Sequence, residues 1–190
     1  MRCLLLQCIL SRNRMGHENP TEKGEIMMAC AEKFGAGAVR NLLRHNRREI
    51  EHSSNRDIDP ERLEHDYVLS PDRGMTDYDY YLQRKSELYC YNRNDVKVMV
   101  GWIVTAPQDL DPERYDDFFC ATYDFLENRY GEENVVQAIV HDDEGGQPHL
   151  HFCFVPVVED PKHEQGYKSV QTMFLTAANC VIFILTCNAT

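Results

Sequence analysis

Val140-His141-Asp142-Asp143-Glu144-Gly145-Gly146-Gln147-Pro148-His149-Leu150-His151-Phe152 decides how this chain folds back on itself. His149 and His151 stand two apart, so on a β-strand both imidazoles leave the same face. His141 ends the apolar run Val135-Val136-Gln137-Ala138-Ile139-Val140, which reads as the neighbouring strand. Gly145-Gly146 permits the tight reversal between the two. The hairpin brings three imidazoles together with Glu144 in its turn. Such a set holds one divalent cation and leaves positions open for a substrate oxygen. A bare His-x-His pair carries little weight, but His141, Glu144 and Pro148 at these positions favour a metal site over a chance pair on a solvated face. Spacing alone does not choose the chemistry: cupin-like dioxygenases, metallohydrolases and one-metal nucleases all place His-x-His on a strand.

Outward from the hairpin, helical and extended patterns alternate. Cys30 to Phe34 reads as part of a first strand, or as following it, and Ala36 to Ile50 as a helix with Val39, Leu42, Leu43 and Ile50 on its apolar side. His45 lies on this helix or at its end. Asn55 to Pro60 is a polar loop, Asp66 to Leu69 a short strand, and Asp77 to Tyr91 a tyrosine-rich segment of helical aspect. The β-branched stretch Val96 to Thr105 is a central strand. Asp111-Pro112-Glu113 combines a cap, a first-turn proline and an acidic first turn, which starts a helix. Tyr115, Phe118, Phe119, Thr122 and Leu126 then recur at spacings of three and four, and Asn128 to Gly131 ends the pattern. The fold class is α/β (α+β): an antiparallel sheet, including the histidine hairpin, covered by helices.

Three motifs act together. They are His-Asn-x-Arg at His45 to Arg48, Asn-x-Asp-Ile-Asp at Asn55 to Asp59, and His-x-Asp-Glu…Pro-His-x-His…Val-Pro from His141 to Pro156. In order and spacing they resemble the Mob/Pre, MobV-type, plasmid mobilisation relaxases, and the resemblance runs from about Met28 to Lys168. One departure is visible: the loop between Glu144 and Pro148 is one residue longer than the family's. The resemblance implies a relaxase, HUH-like palm of antiparallel sheet. It also implies a cytoplasmic bacterial enzyme that nicks single-stranded or supercoiled plasmid DNA at an origin of transfer. His141, His149 and His151 would ligate the cation, and His45 would be the nucleophile, forming a phosphoramidate to the 5′-phosphate. Glu144 would orient or deprotonate His45, and Arg48 would steady the phosphate as a bidentate fork. Arg40, Arg44, Asn46, Arg47, Asn55 and Asp57 are the expected DNA contacts, with Arg56 extending the basic strip. Imidazole ligands favour transition metals, so manganese ranks first and zinc second; magnesium is a further option.

Several of these residues have plainer readings. Arg44, Arg47 and Arg48 also read as a solvated helix face, Asp57 and Asp59 as turn and capping residues, and Glu144 as a turn carboxylate or fourth ligand. Tyr78, Tyr80 and Tyr81 fit packing better than stacking on bases, and Trp102 and Phe154 read as core. Two other functions compete: a cupin-like metalloenzyme unrelated to DNA, and a catalytically inactive remnant of a relaxase.

Composition sets bounds. The chain's 190 residues suffice for one domain with a real core. Its 20 Lys+Arg against 31 Asp+Glu give a net charge of −11, which predicts weak, salt-sensitive DNA binding. Of eight cysteines, Cys30, Cys90, Cys120 and Cys153 are scattered singly and read as reduced thiols of a cytoplasmic protein. The ends look foreign. Lys23 to Met28 back-translates to AAAGGAGAAATTATGATG, a ribosome-binding site and start codon, so residues 1–26 read as a translated leader. Leu4 to Leu10 is too short, and too poor in cleavage-site residues, for a secretory signal. The tail from Ser169 to Thr190 has no amphipathic period. One back-translation, with a G restored after Lys168, reads VSANDVLDRRELRNFHPDLQRY, so residues 169–190 are expected to be frameshifted. The rival reading of Val181 to Leu185 is a buried edge strand, too short to span a bilayer.

Overall fold

The computed structural model describes residues 28–50, 55, 57–91, 93, 96–159, 162 and 167–169. The leader, residues 170–190 of the tail with its alternative frame, and Arg56 lie outside these described residues.

Strand β1 (Met28–Gly35) leads directly into helix α1 (Ala36–Asn46). A loop carries the chain to β2 (Tyr67–Val68), then α2 (Asp77–Ser86) and β3 (Lys97–Thr105). Asp111 accepts a hydrogen bond from the Glu113 N–H and starts a short 3-10 turn over Pro112–Arg114, which opens α3 (Tyr115–Tyr130). The histidine hairpin follows as β4 (Val135–His141) and β5 (His149–Phe154), then a small ribbon of β6 (Val157–Glu159) and β7 (Tyr167–Ser169). The main sheet has five strands in the order β1-β3-β5-β4-β2, and every neighbouring pair is antiparallel. The β3 segment read as central is internal, flanked by β1 and β5. Among the described residues, one five-stranded sheet covered by helices, with a small two-stranded ribbon, is not the double-sheet jelly roll of a cupin.

Alternation along the strands divides two cores. Trp102, Val104, Val140, Leu150, Phe152 and Phe154 point to one face, where Phe118, Phe119, Tyr123 and Leu126 of α3 cover them. Phe119, Phe152 and Phe154 have no exposed surface. Each contributes roughly 1.5–3 kcal/mol by burial. The opposite face carries Val98, Met99, Val136 and Cys153 under Val39 and Leu43 of α1 and Tyr81 of α2. Tyr81 and Trp102 are therefore core, and Tyr78 and Tyr80 pack beneath Arg40 and Arg73 rather than standing free. Gly131 ends α3 at φ 89, a left-handed conformation that glycine adopts without a Cβ penalty. Among the described residues, Cys30, Cys90, Cys120 and Cys153 form no disulfide.

Helix α1 is shorter than its sequence pattern predicts. It stops at Asn46, and Arg48 adopts φ 58. That turn matters because it carries the chain out of the helix beside the histidines.

Candidate metal centre

The hairpin register sets His141 opposite His149 and Ile139 opposite His151. All three imidazoles leave the sheet on the α1 side, at the end of the sheet where α1 stops. Ring centroids are 4.6 Å apart for His141 and His151, 4.9 Å for His149 and His151, and 5.5 Å for His141 and His149. One nitrogen from each lies within 4.8 Å of the others, a set that can hold one metal ion. Asp143 and Glu144, with His141, form a second such set against the first.

Protonation favours ligation. His141 Nε2 donates to the Asn46 carbonyl at 2.8 Å, which leaves the lone pair on Nδ1. That Nδ1 is buried and has no hydrogen-bond partner. A buried orphan lone pair fits a cation better than it fits any alternative in the site. His149 makes a longer contact of 3.4 Å from Nδ1 to the Gln147 carbonyl, which points its Nε2 to the cluster. Burial, then the nearby Arg48 charge, lowers His141 from the usual 6.5 to about 4. Burial and the neighbouring imidazoles hold His151 well below its ordinary value. Both are neutral at physiological pH, as ligands must be.

The loop expected from Asn55 to Pro60 closes the rim. Ile58 bridges Glu144, Asp59 N donates to the Asp143 carbonyl at 2.7 Å, and Gly145 N to the Asp57 carbonyl at 3.2 Å. Asn55 Nδ2 donates to Glu144 Oε1 at 3.1 Å, and Asn55 Oδ1 accepts from Asp57 N at 3.0 Å. Asp59 plays the turn role, accepting from Glu61 N at 3.0 Å. Arg62 and His65 both reach Asp142.

The His-Asn-x-Arg motif separates into four environments. His45 lies in the last turn of α1, one residue before the Asn46 carbonyl that accepts from His141 Nε2. Asn46, read from the sequence as a DNA contact, is instead 1% exposed and donates to Gln137 Oε1 at 2.8 Å. Arg47 forks onto Asp77 at 2.7 and 2.9 Å. Arg48, read as a phosphate fork, turns its own fork onto buried Asp143 and also binds Glu144 at 2.9 Å. Its Nη1 is buried and has no hydrogen-bond partner. Of the other arginines, Arg40 lies over the Tyr78 ring at 4.3 Å and Arg44 reaches Glu49 at 3.7 Å. Glu144 is turned to Arg48, Asn55 and, at 4.0 Å, His149 Nε2.

Sequence reading missed Asp143, Asp66 and Gln137. Burial pushes the Asp143 carboxyl up, and Arg48 more than offsets it, leaving it below the usual range. Asp66 accepts from Asp142 N at 2.8 Å and is raised to about 6 by burial, with the Asp143 charge adding to the effect. Gln137 had a signal: it is the one polar residue within the run Val135 to Val140, on the same face as His141.

Comparison with known proteins agrees with this geometry. The family model described as plasmid recombination enzyme, Mob_Pre, matches residues 23–174. A plasmid recombination enzyme type 1 of Staphylococcus aureus is 35% identical over 141 residues, covering 70% of this chain and 35% of that protein. A plasmid recombination enzyme of Streptococcus agalactiae is 32% identical over 157 residues, covering 78% of this chain and 30% of its own length. The chain thus spans about a third of the length of the curated relatives it matches. Among solved structures, a manganese-bound MobM relaxase domain in complex with plasmid pMV158 oriT DNA superposes with a TM-score of 0.59. It is 32% identical, with 69% of this chain and 70% of that one covered. Sheet order, histidine hairpin and family match converge, and the chain belongs to the Mob_Pre family of plasmid recombination enzymes.

Proposed function

We propose that this domain is the strand-transfer centre of a plasmid relaxase acting on single-stranded DNA at an origin of transfer. The observation that carries the proposal is the end of α1. His45 stands in the last turn of α1, and the carbonyl of the next residue, Asn46, accepts from His141 Nε2, which supports a place for His45 near the histidine cluster. A fourth imidazole beside a metal-competent set is what nicking by a histidine nucleophile requires.

His141, His149 and His151 are the proposed ligands of a divalent cation, and manganese suits imidazoles with carboxylates close by. When bound, the cation supplies charge neutralisation and polarisation at the scissile phosphate. His45 attacks phosphorus through a neutral ring nitrogen. The N–P bond forms, the bond to O3′ breaks, and the imidazole proton passes by way of Glu144 to the departing O3′, which leaves as a hydroxyl. The 5′-phosphate stays on the protein, so the step is reversible and a cut strand can be rejoined. Glu144 is the proposed proton acceptor: it is 23% exposed beside the cluster, whereas Asp143 is 0% exposed and locked by Arg48. Asn55 and Arg48 hold Glu144 in place. Asp57 lies at the exposed rim, where an incoming strand would pass.

The engaged arginines favour a second reading, a domain that binds metal without transferring a strand. Incubation with manganese and labelled single-stranded origin oligonucleotides, resolved on a denaturing gel, separates the two. An acid-labile protein–DNA band, lost in His45→Ala and His149→Ala, is expected. Manganese uptake with no band from any origin sequence would favour the second reading.

A further inference from the structure

A buried polar relay joins α2 to the histidine hairpin, and the strand-transfer reading makes no use of it. Gln137 in the middle of β4 is 0% exposed. Its Nε2 donates to the Leu43 carbonyl at 3.1 Å and to Asp77 Oδ2 at 2.6 Å. Both partners are acceptors, so the amide has one orientation and Oε1 must face Asn46. Asn46 Nδ2 donates to that oxygen at 2.8 Å and lies 3.7 Å from Cys153 Sγ. Asp77, in the first turn of α2, is held from the outside by the Arg47 fork. The relay ends where the Asn46 carbonyl accepts from His141 Nε2.

A buried amide in an otherwise apolar strand is a costly way to pack a sheet, since an apolar residue of like volume needs no partners. What it achieves is placement. It pins the last turn of α1 against β4, which fixes the Asn46 carbonyl and with it the ring nitrogen that His141 leaves free. We propose that Gln137 and Asp77 are positioning residues of the metal centre, setting the His141 tautomer through Asn46. The metal side of this proposal rests on the ligand reading given above.

Two variants of the full chain test it, Gln137→Met, which conserves volume, and Asp77→Asn, at a side chain 13% exposed. The first readout is the nitrogen-15 spectrum of His141 in metal-free protein at about pH 8, above the usual imidazole range. The parent is expected to show a proton on Nε2 alone, and Gln137→Met a mixture of the two tautomers. The second is manganese titration followed by electron paramagnetic resonance. Affinity is expected to fall about 10- to 100-fold in Gln137→Met, the usual loss for removing outer support of a ligand, and less in Asp77→Asn. Parent-like tautomer and parent-like affinity in both variants overturn the proposal. If Gln137→Met does not fold, Asp77→Asn decides by the same two readouts. If the parent takes up no manganese, the ligand reading fails, and the tautomer comparison still decides the relay.

Discussion

His141 and Asp66 both feel the Arg48 charge and are displaced in opposite directions from their ordinary titration ranges. In metal-free protein His141 is lowered from 6.5 to about 4. Between those values the unfolded chain binds a proton that the folded chain refuses, so stability falls as the pH drops through this window. Asp66 is raised from 3.8 to about 6. Between those values the folded chain holds a proton that the unfolded chain has lost, so stability rises as the pH drops. The two contributions oppose each other over most of the same range, and His151, also lowered, tips the balance toward loss in acid. Asp66→Asn removes the opposing contribution. Melting temperature against pH in chelator should therefore fall more steeply between pH 6 and 4 for Asp66→Asn than for the parent. Parallel curves would contradict this balance.

Helix α1 shows what an element's sequence can and cannot reveal. Val39 and Leu43 announced its buried face, and the alternation of β4 and β5 announced the hairpin and the grouping of its three histidines. Its end was not legible. Arg47, Arg48 and Glu49 are ordinary helix residues, and local propensity would carry the helix on to Ile50. Distant carboxylates decide otherwise: Asp77 takes Arg47, while Asp143 and Glu144 take Arg48 and hold it at φ 58. No pattern within the helix contains that information, and for the same reason Asp143 and Asp66 escaped notice. Removing the tie has a direct expectation. Arg48→Met leaves the Asp143 carboxylate, 0% exposed, without its partner, at a cost of about 3–5 kcal/mol. Arg48→Lys keeps the charge but not the fork, and should fall between parent and Arg48→Met. Urea unfolding measures both, and equal stability in all three proteins would mean that the pair does not hold the turn.

At the scale of the whole molecule, charge and site pull apart. The chain carries a net −11, and Arg40, Arg44, Arg47 and Arg48 are all engaged with protein groups. Few cations remain on α1 to displace counterions from a strand. Affinity for a single-stranded oligonucleotide, read by fluorescence anisotropy, should give a log–log salt slope shallower than about −2, from fewer than about three phosphates at roughly −0.7 each. Manganese should raise the affinity, and a steep slope without manganese would point to a basic surface elsewhere. Within the described residues no helix is long and apolar enough to cross a membrane. The pairing of β4 with β5 has a further consequence, for how this chain tolerates change. The register that sets His141 opposite His149 brings three imidazoles side by side on one face. A slip of one residue sends His149 and His151 together to the α3 side, so under the proposed ligand set cation binding would favour the native strand alignment. The turn is under no such discipline. At Gly145 and Gly146 an added Cβ would meet nothing within 4 Å. A residue gained there leaves the three imidazoles on their face, whereas one gained at the start of β5 would turn both His149 and His151 away.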